Sequence, residues 1–288
     1  HFYMTRWRKV FDLGGLVESQ ITPDFEPFYQ ANALPRYLDQ VVGTYGPTSG
    51  IYPANHPQAG QPKFDILQGG DLNPNMTAHG GRPELAPYPT WIGSYLAHEG
   101  PNTQRYLLAN GDLSGSWPVH LREPTGGPYQ GLGVGRLVSI DERPNFWWDS
   151  GNSGGYPWRK ISDGVWVPLS TTQRANPPDG PAGSPVLSDR GYWYPDNAHQ
   201  PSVAYVPYLL TGDRYYADEM AFWADFGLLS SYQQRPTNAR GGSLGLLGLT
   251  NEARGAGWVL RNLADAAAYL PAADPLKPVR RPVDLEDE

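Results

Sequence analysis

The sequence predicts a mainly α protein built from helix hairpins, with long ordered loops and one small extended subregion. Three observations carry that expectation. Apolar residues recur at helical spacing in separate segments of the chain, clearest over Asn251–Tyr269. Two helical regions resemble each other: His79 lies four residues before Pro83 and Pro83 six before Pro89, while His199 lies two before Pro201 and Pro201 six before Pro207. Each region then gives a Tyr-Leu pair (Tyr95-Leu96, Tyr208-Leu209), a Gly-containing break and a helix with aromatics near its start. Finally, 34 Gly and 30 Pro are spread along the 288 residues without a period, which reads as many ordered loops rather than collagen or a disordered tail. Helix hairpins repeated about an axis make a toroid or a solenoid.

Residues 1–25 read as a strand or a short helix. Pro27–Gly43 places Leu34, Tyr37, Leu38, Val41 and Val42 at helical spacing in its second half. Gly43–Gly81 reads as a long loop, and Tyr45, Ile51, Tyr52, Phe64, Ile66 and Leu67 favour an ordered one. Glu84–His98 reads as a helix with a proline-rich first turn, and Thr103–Leu113 as a second one ending near Gly111 or Gly115. Residues 116–185 change character: GRLVSIDERPNFWWD and DGVWVPLS read as short strands or extended loops between Gly/Pro runs. Helical periodicity returns over Pro201–Leu210 and, after the TGDR break, over Tyr215–Leu229. Asn251–Tyr269 follows, with Trp258, Leu260, Leu263, Ala264, Ala267 and Ala268 expected on one face. The expected organisation is one domain spanning 1–288, with 116–185 as a subregion within it.

Composition narrows the function classes. A formal net charge of −7 with no basic run argues against nucleic acid or an anionic membrane as partner. No apolar stretch approaches the ~20 residues a membrane span requires. Cysteine is absent, which removes disulfides, thiolate metal sites and cysteine nucleophiles together. The chain begins at His1 without methionine or a signal sequence, as expected of a processed product or an excised piece. Asn75-Met76-Thr77 is a formal glycosylation acceptor. With 10 Trp and 18 Tyr the chain is rich in rings, which suit sugar stacking but equally the packing of loops onto a core.

Four constellations carry candidate chemistry, each with a structural alternative. His79, Arg82 and Glu84 surround two glycines before a helix, where the helix dipole favours a carboxylate; the alternative is a cap with Arg82 paired to Glu84. Trp193, Tyr194, Asp196, Asn197 and His199 precede Pro201, and Asp196 or Asn197 can instead cap the helix. Asn110, Asp112, Trp117 and His120 lie in LANGDLSGSWPVH, where Asn-Gly-Asp is also ordinary chemistry for a helix end. Arg254 and Trp258 sit four apart on one helix face, either as a structural stack or as a grip for an acidic sugar.

The segments HGGRPELAPYP, LANGDLSGSWPVH, YPDNAHQPSVAYVPYLLTGDRYYADEMAFW and RGAGWVLRNLADAA, about a quarter of the chain, give it an architecture that resembles the (α/α) toroid of polysaccharide lyases and glycoside hydrolases. The resemblance implies a toroid or partial toroid, with the His-bearing segments before helix starts facing a sugar-binding groove. Hydrolysis needs two carboxylates ~5–5.5 Å apart for retention or ~6.5–9.5 Å for inversion, for which Glu84, Asp112, Asp196 and Asp225 are the candidates. β-Elimination from a uronic acid needs a base, His or Tyr, and neutralisation of the carboxylate by Asn, Arg or a metal. His199, Tyr194 and His79 as catalytic groups, with Arg82 and Asn197, contain that set, so the expectation tilts toward a lyase of an extracellular or cell-surface polysaccharide. The remaining candidates, Glu84, Asn110, Asp112, Trp117, His120, Trp193, Asp196, Arg254 and Trp258, are expected to contact substrate.

No cofactor is expected; a structural Ca2+ is the addition these residues allow. Metal binding by His79, His199 and Asp196 lacks any ligand spacing, and a copper brace at His1 rests on that residue being a true terminus. No GxGxxG before a helix, GxxxxGK[ST], HExxH or EF-hand loop occurs. The competing classes are a subunit of an extracellular assembly (surface layer, fibre or virion), self-associating or docked to neighbours, and a carbohydrate-binding protein without catalysis.

Overall fold

The computed structural model describes residues 23–37, 60–74, 76, 85, 87–122, 137–138, 158–160, 166–168, 195–230 and 253–272. These are mainly helical. The first helix, α1, is Glu26–Gln30. Pro27 in its first turn needs no amide partner there, and Asn32 at a positive φ of 54° ends the helical path. Helix therefore occupies Glu26–Gln30 and residues 31–37 turn away, since Pro35 disfavours helical backbone at Leu34; Leu38, Val41 and Val42 lie outside the described residues. The exposed Arg36 guanidinium folds back onto Glu26 at 2.6 Å and holds that carboxyl below its ordinary range.

Helix α2 is Thr90–His98 and α3 is Pro101–Asp112. The expected start of α2 at Glu84 is too early by six residues. Pro89 disfavours helical backbone at Tyr88 and itself has ψ 152°, so it becomes the cap and not part of the first turn. Its buried stripe is Trp91, Ile92, Tyr95 and Leu96, the i, i+1, i+4, i+5 pattern of one helix face. The α2–α3 hairpin closes through Glu99-Gly100. Thr103 replaces the side chain that Gly100 lacks: the Gly100 amide donates to Thr103 Oγ1 at 3.1 Å, and the threonine hydroxyl returns to the Gly100 carbonyl at 2.9 Å. A short 3-10 turn, Ser114–Ser116, follows α3.

The extended subregion contributes an antiparallel pair, β1 (Trp158–Lys160) and β2 (Trp166–Pro168), with Trp158 opposite Pro168. Leu137 bridges Arg122 in the same sense. Thus DGVWVPLS and GRLVSIDERPNFWWD each supply extended backbone, as their alternating β-branched and aromatic residues predict.

A 3-10 turn, Asn197–His199, leads toward the second hairpin, α4 (Tyr205–Thr211) and α5 (Arg214–Ser230). The TGDR break works as its residues predict. Gly212 takes φ 64° and donates its amide to the Tyr208 carbonyl at 2.7 Å, and Asp213 Oδ1 accepts the Tyr215 amide at 3.0 Å, starting the next helix. Every residue of α5 from Glu219 to Ser230 is buried, so this is the central helix of the described core. Trp223 packs on Trp117 with ring centres 5.9 Å apart, and Trp117 itself is fully buried. One hydrophobic cluster joins Phe25, α2, α3, α4 and α5 to Ala266 and Leu270.

The last helix, α6 (Ala253–Tyr269), lies against α5 and the 197–199 turn. Its buried stripe is Gly255, Val259, Asn262 and Ala266, which corrects the face expected from the sequence. Leu260 is 49% exposed, and Ala264 and Ala268 are exposed as well. Close approach decided the matter. A Cβ on Gly227 of α5 would lie 3.2 Å from Val259 Cγ1, so the missing side chain on α5 is what lets Val259 of α6 pack there. No helix among the described residues is long and apolar enough to cross a membrane.

Candidate functional site

The polar side chains of the 197–200 turn, Asn197, His199 and Gln200, are all buried. His199 Nδ1 donates to Asp196 Oδ2, fixing the ring and its tautomer, and His199 Nε2 is buried with no hydrogen-bond partner among the described residues. Asn197 does not cap with its side chain; its Nδ2 donates to the Ser230 carbonyl at 3.1 Å and ties the turn to the end of α5. Gln200 Nε2 donates to the Asn197 carbonyl at 3.2 Å, while Gln200 Oε1 accepts Asn262 Nδ2 at 3.0 Å.

Helix α6 clamps this turn with Arg261. Its Nη2 donates to the Gln200 carbonyl at 2.6 Å, Nη1 to the Pro87 carbonyl at 3.0 Å and Nε to Asn262 Oδ1 at 3.2 Å, and its guanidinium lies 4.7 Å from the centre of the Trp258 ring. The cation over Trp258 is thus Arg261, three residues on, where the sequence suggested Arg254, four before it. Burial pushes Arg261 down to about 10, and it stays charged at neutral pH.

One turn further along, Asp265 lines a small pocket with Pro201, Ser202, Val203, Ala204 and Tyr205, closed by Met220 and Trp223 of α5 and by Asn262. The space open to the centre of a water-sized sphere is about 10 Å3, room for roughly one water and too little for a sugar ring. Asp265 Oδ2 is buried with no hydrogen-bond partner among the described residues. Burial raises this carboxyl to about 7 against the lowering effect of Arg261.

A second polar cluster lies at the other end of α5. Glu219, 2% exposed, accepts Ser114 Oγ at 2.8 Å and His120 Nε2 at 2.9 Å, and Trp223 Nε1 donates to Ser114 Oγ at 2.9 Å. Tyr215 and Tyr216 close the same end: their hydroxyls donate to the Asp112 carbonyl at 2.7 Å and to Asp112 Oδ1 at 2.6 Å. His120 also meets the edge of Phe222, ring centres 4.6 Å apart. Glu219 and Ser230 are eleven residues apart, roughly 16 Å of helix axis, so His120 and His199 belong to separate neighbourhoods.

The expected site residues therefore divide. Asp196, Asn197 and His199 come together, with Arg254 and Trp258 on the helix that packs against them. Asp112, Trp117 and His120 gather around Glu219 and Trp223. Asn110 holds a loop: its Oδ1 accepts the Asp71 amide at 2.9 Å and its Nδ2 donates to the Tyr106 carbonyl at 3.1 Å. His79, Arg82, Glu84, Trp193 and Tyr194 lie outside the described residues, so the expected meeting of the His79 and His199 turns does too. Among the described residues, no group of three or more His, Asp or Glu is placed to hold a metal ion.

Glu219, Arg261 and Asp265 were missed by reading the sequence. Glu219 had a signal, a carboxylate on the apolar stripe of Tyr216, Met220 and Trp223. Arg261 and Asp265, four apart, read as an exposed ion pair, and nothing local says otherwise. No family model, curated protein or solved structure matches the chain.

Proposed function

We propose that the protein cleaves an acidic polysaccharide by β-elimination, with His199 as the base. The observation that carries this reading is the Asp196–His199 pair, a buried imidazole oriented through Nδ1 by a carboxylate and offering Nε2 as an acceptor. In the step envisaged, Nε2 takes the proton from the carbon α to the uronate carboxylate. The electron pair of that C–H bond forms the new double bond, and the bond to the leaving glycosidic oxygen breaks. In this reading the proton that oxygen takes up comes from a second catalytic group, for which Tyr194, outside the described residues, is the candidate. The two helix hairpins, α2–α3 and α4–α5, are the units from which a toroid or partial toroid would be assembled. Among the described residues, Trp91, Trp117, Tyr95 and Tyr205 are packed inside, so these rings supply neither a docking patch nor a sugar platform.

Hydrolysis is the second reading, for which Asp112, Asp196 and Asp225 are the candidate carboxylates among the described residues. A panel of uronate-containing and neutral polysaccharides separates the readings. Elimination gives new absorbance from unsaturated ends that is lost in His199→Ala; hydrolysis gives reducing ends without that absorbance. The 5% exposure of His199 sets the sharper control. A His199→Ala variant that loses most of its stability together with activity makes the pair a core element, and the lyase reading fails.

A further inference from the structure

The geometry points to a proton-dependent latch on the His199 turn, in which Arg261 holds the turn while Asp265 is neutral and is drawn away when Asp265 ionises. It goes beyond the proposed cleavage, since it concerns the turn itself and needs no substrate.

Arg261 and Asp265 are four residues apart on α6, the spacing at which a guanidinium and a carboxylate meet on one helix face. They form no ion pair within 4.0 Å here. All three guanidinium nitrogens of Arg261 are committed elsewhere, to the Gln200 and Pro87 carbonyls and to Asn262. Asp265 is left facing the pocket, its Oδ2 without a hydrogen-bond partner among the described residues. That arrangement suits a neutral carboxyl and is costly for a charged one. Burial keeps the carboxyl at about 7, so both forms are populated near neutrality.

Among the described residues, Arg261 is the cation that Asp265 can recruit on ionising. Tyr88, ahead of α2, and Tyr205 of α4 are phenols pushed far up by burial, and neither supplies positive charge. Tyr269 is on the same helix as Asp265. Helix α5 presents Met220 and Trp223, and the segment between the turn and α4 presents Pro201, Ser202, Val203 and Ala204. The turn itself carries Asp196 and His199, already paired with each other. Arg261 is the nearby fixed cation. Taking it costs the bonds to Gln200 and Pro87, which join the His199 turn to α6 and to the chain leading into α2.

Two resonances follow this: the Asp265 side-chain carboxyl carbon and the His199 amide, which donates to the Asp196 carbonyl at 3.1 Å. Between pH 5 and 9 the carboxyl carbon is expected to titrate with a midpoint near 7. Exchange of the His199 amide, corrected for base catalysis, should rise about tenfold across the same midpoint as the turn opens locally. Asp265→Asn should abolish the rise. Arg261→Lys, which cannot grip two carbonyls with one planar fork, should exchange fast at every pH. Coincident midpoints in the wild type and a flat Asp265→Asn profile support the latch. A carboxyl that titrates near 4, an amide that ignores its titration, or a rise that persists in Asp265→Asn overturns it. Activity on any polysaccharide enters neither readout.

Discussion

Replacing Asp265 by asparagine is expected to stabilise the protein, and increasingly so as pH rises. The carboxyl has an ordinary value of 3.8 and is raised to about 7 in the folded chain. Below pH 4 it is protonated in both states and costs nothing. From pH 4 to 7 the unfolded chain releases the proton while the folded chain keeps it, so folding stability falls by about 1.4 kcal/mol per pH unit. Above 7 both states are ionised and the full cost remains, roughly 4 kcal/mol from the three-unit difference. Asparagine has nearly the same shape, does not ionise, and can donate from its amide into the pocket. The stability gained over wild type should therefore grow by about 2.7 kcal/mol between pH 5 and pH 8, two units of titration within that window. Urea unfolding of both proteins at those two pH values, with the slope checked for constancy, measures it. A gain that stays the same at both pH values would show that Asp265 ionises normally in the folded protein, and the argument from burial would fail.

Three further substitutions address the core and the second polar cluster. Glu219→Leu removes the acceptor of both Ser114 and His120 and should cost roughly 3–5 kcal/mol, since two buried donors lose their partner; a loss below about 1 kcal/mol by urea unfolding would mean the cluster is hydrated. Trp117→Ala should cost roughly 3–5 kcal/mol because the ring is fully buried against Trp223, whereas a tryptophan serving as a sugar platform would leave stability unchanged and weaken only polysaccharide binding. Gly70→Ala should cost about 2 kcal/mol by thermal unfolding, because φ is 62° and the new Cβ would lie 2.5 Å from Asn110 Oδ1; no loss would mean that the Asp71–Asn110 tether does not hold this loop against α3.

The helices were legible where local chemistry is decisive. Pro101 and Thr103 start α3, Gly212 and Asp213 break the second hairpin, and α6 needs only its periodicity. Boundaries failed where prolines alternate, at Ala86-Pro87-Tyr88-Pro89, because the steric effect of each ring falls on the residue before it. The candidate site was half legible. His199 and Asp196 are three apart and meet within one turn, a contact that spacing alone suggests. The partners that hold the turn, Arg261 and Asn262, lie more than sixty residues away, and no pattern near His199 points to them.

The sequence by itself determined the helical segments and the chemistry in reserve: two helix hairpins, no thiol, a net negative charge and a histidine with a carboxylate beside it. Only the tertiary structure decided which polar groups lose water. Glu219 and Asp265 both sit on helices among apolar neighbours, yet one is met by a hydroxyl and an imidazole and the other by an unanswering pocket. Burial depends on what packs against a helix face, and Gly227 brought α5 close to α6 in a way that no residue of α6 alone could specify.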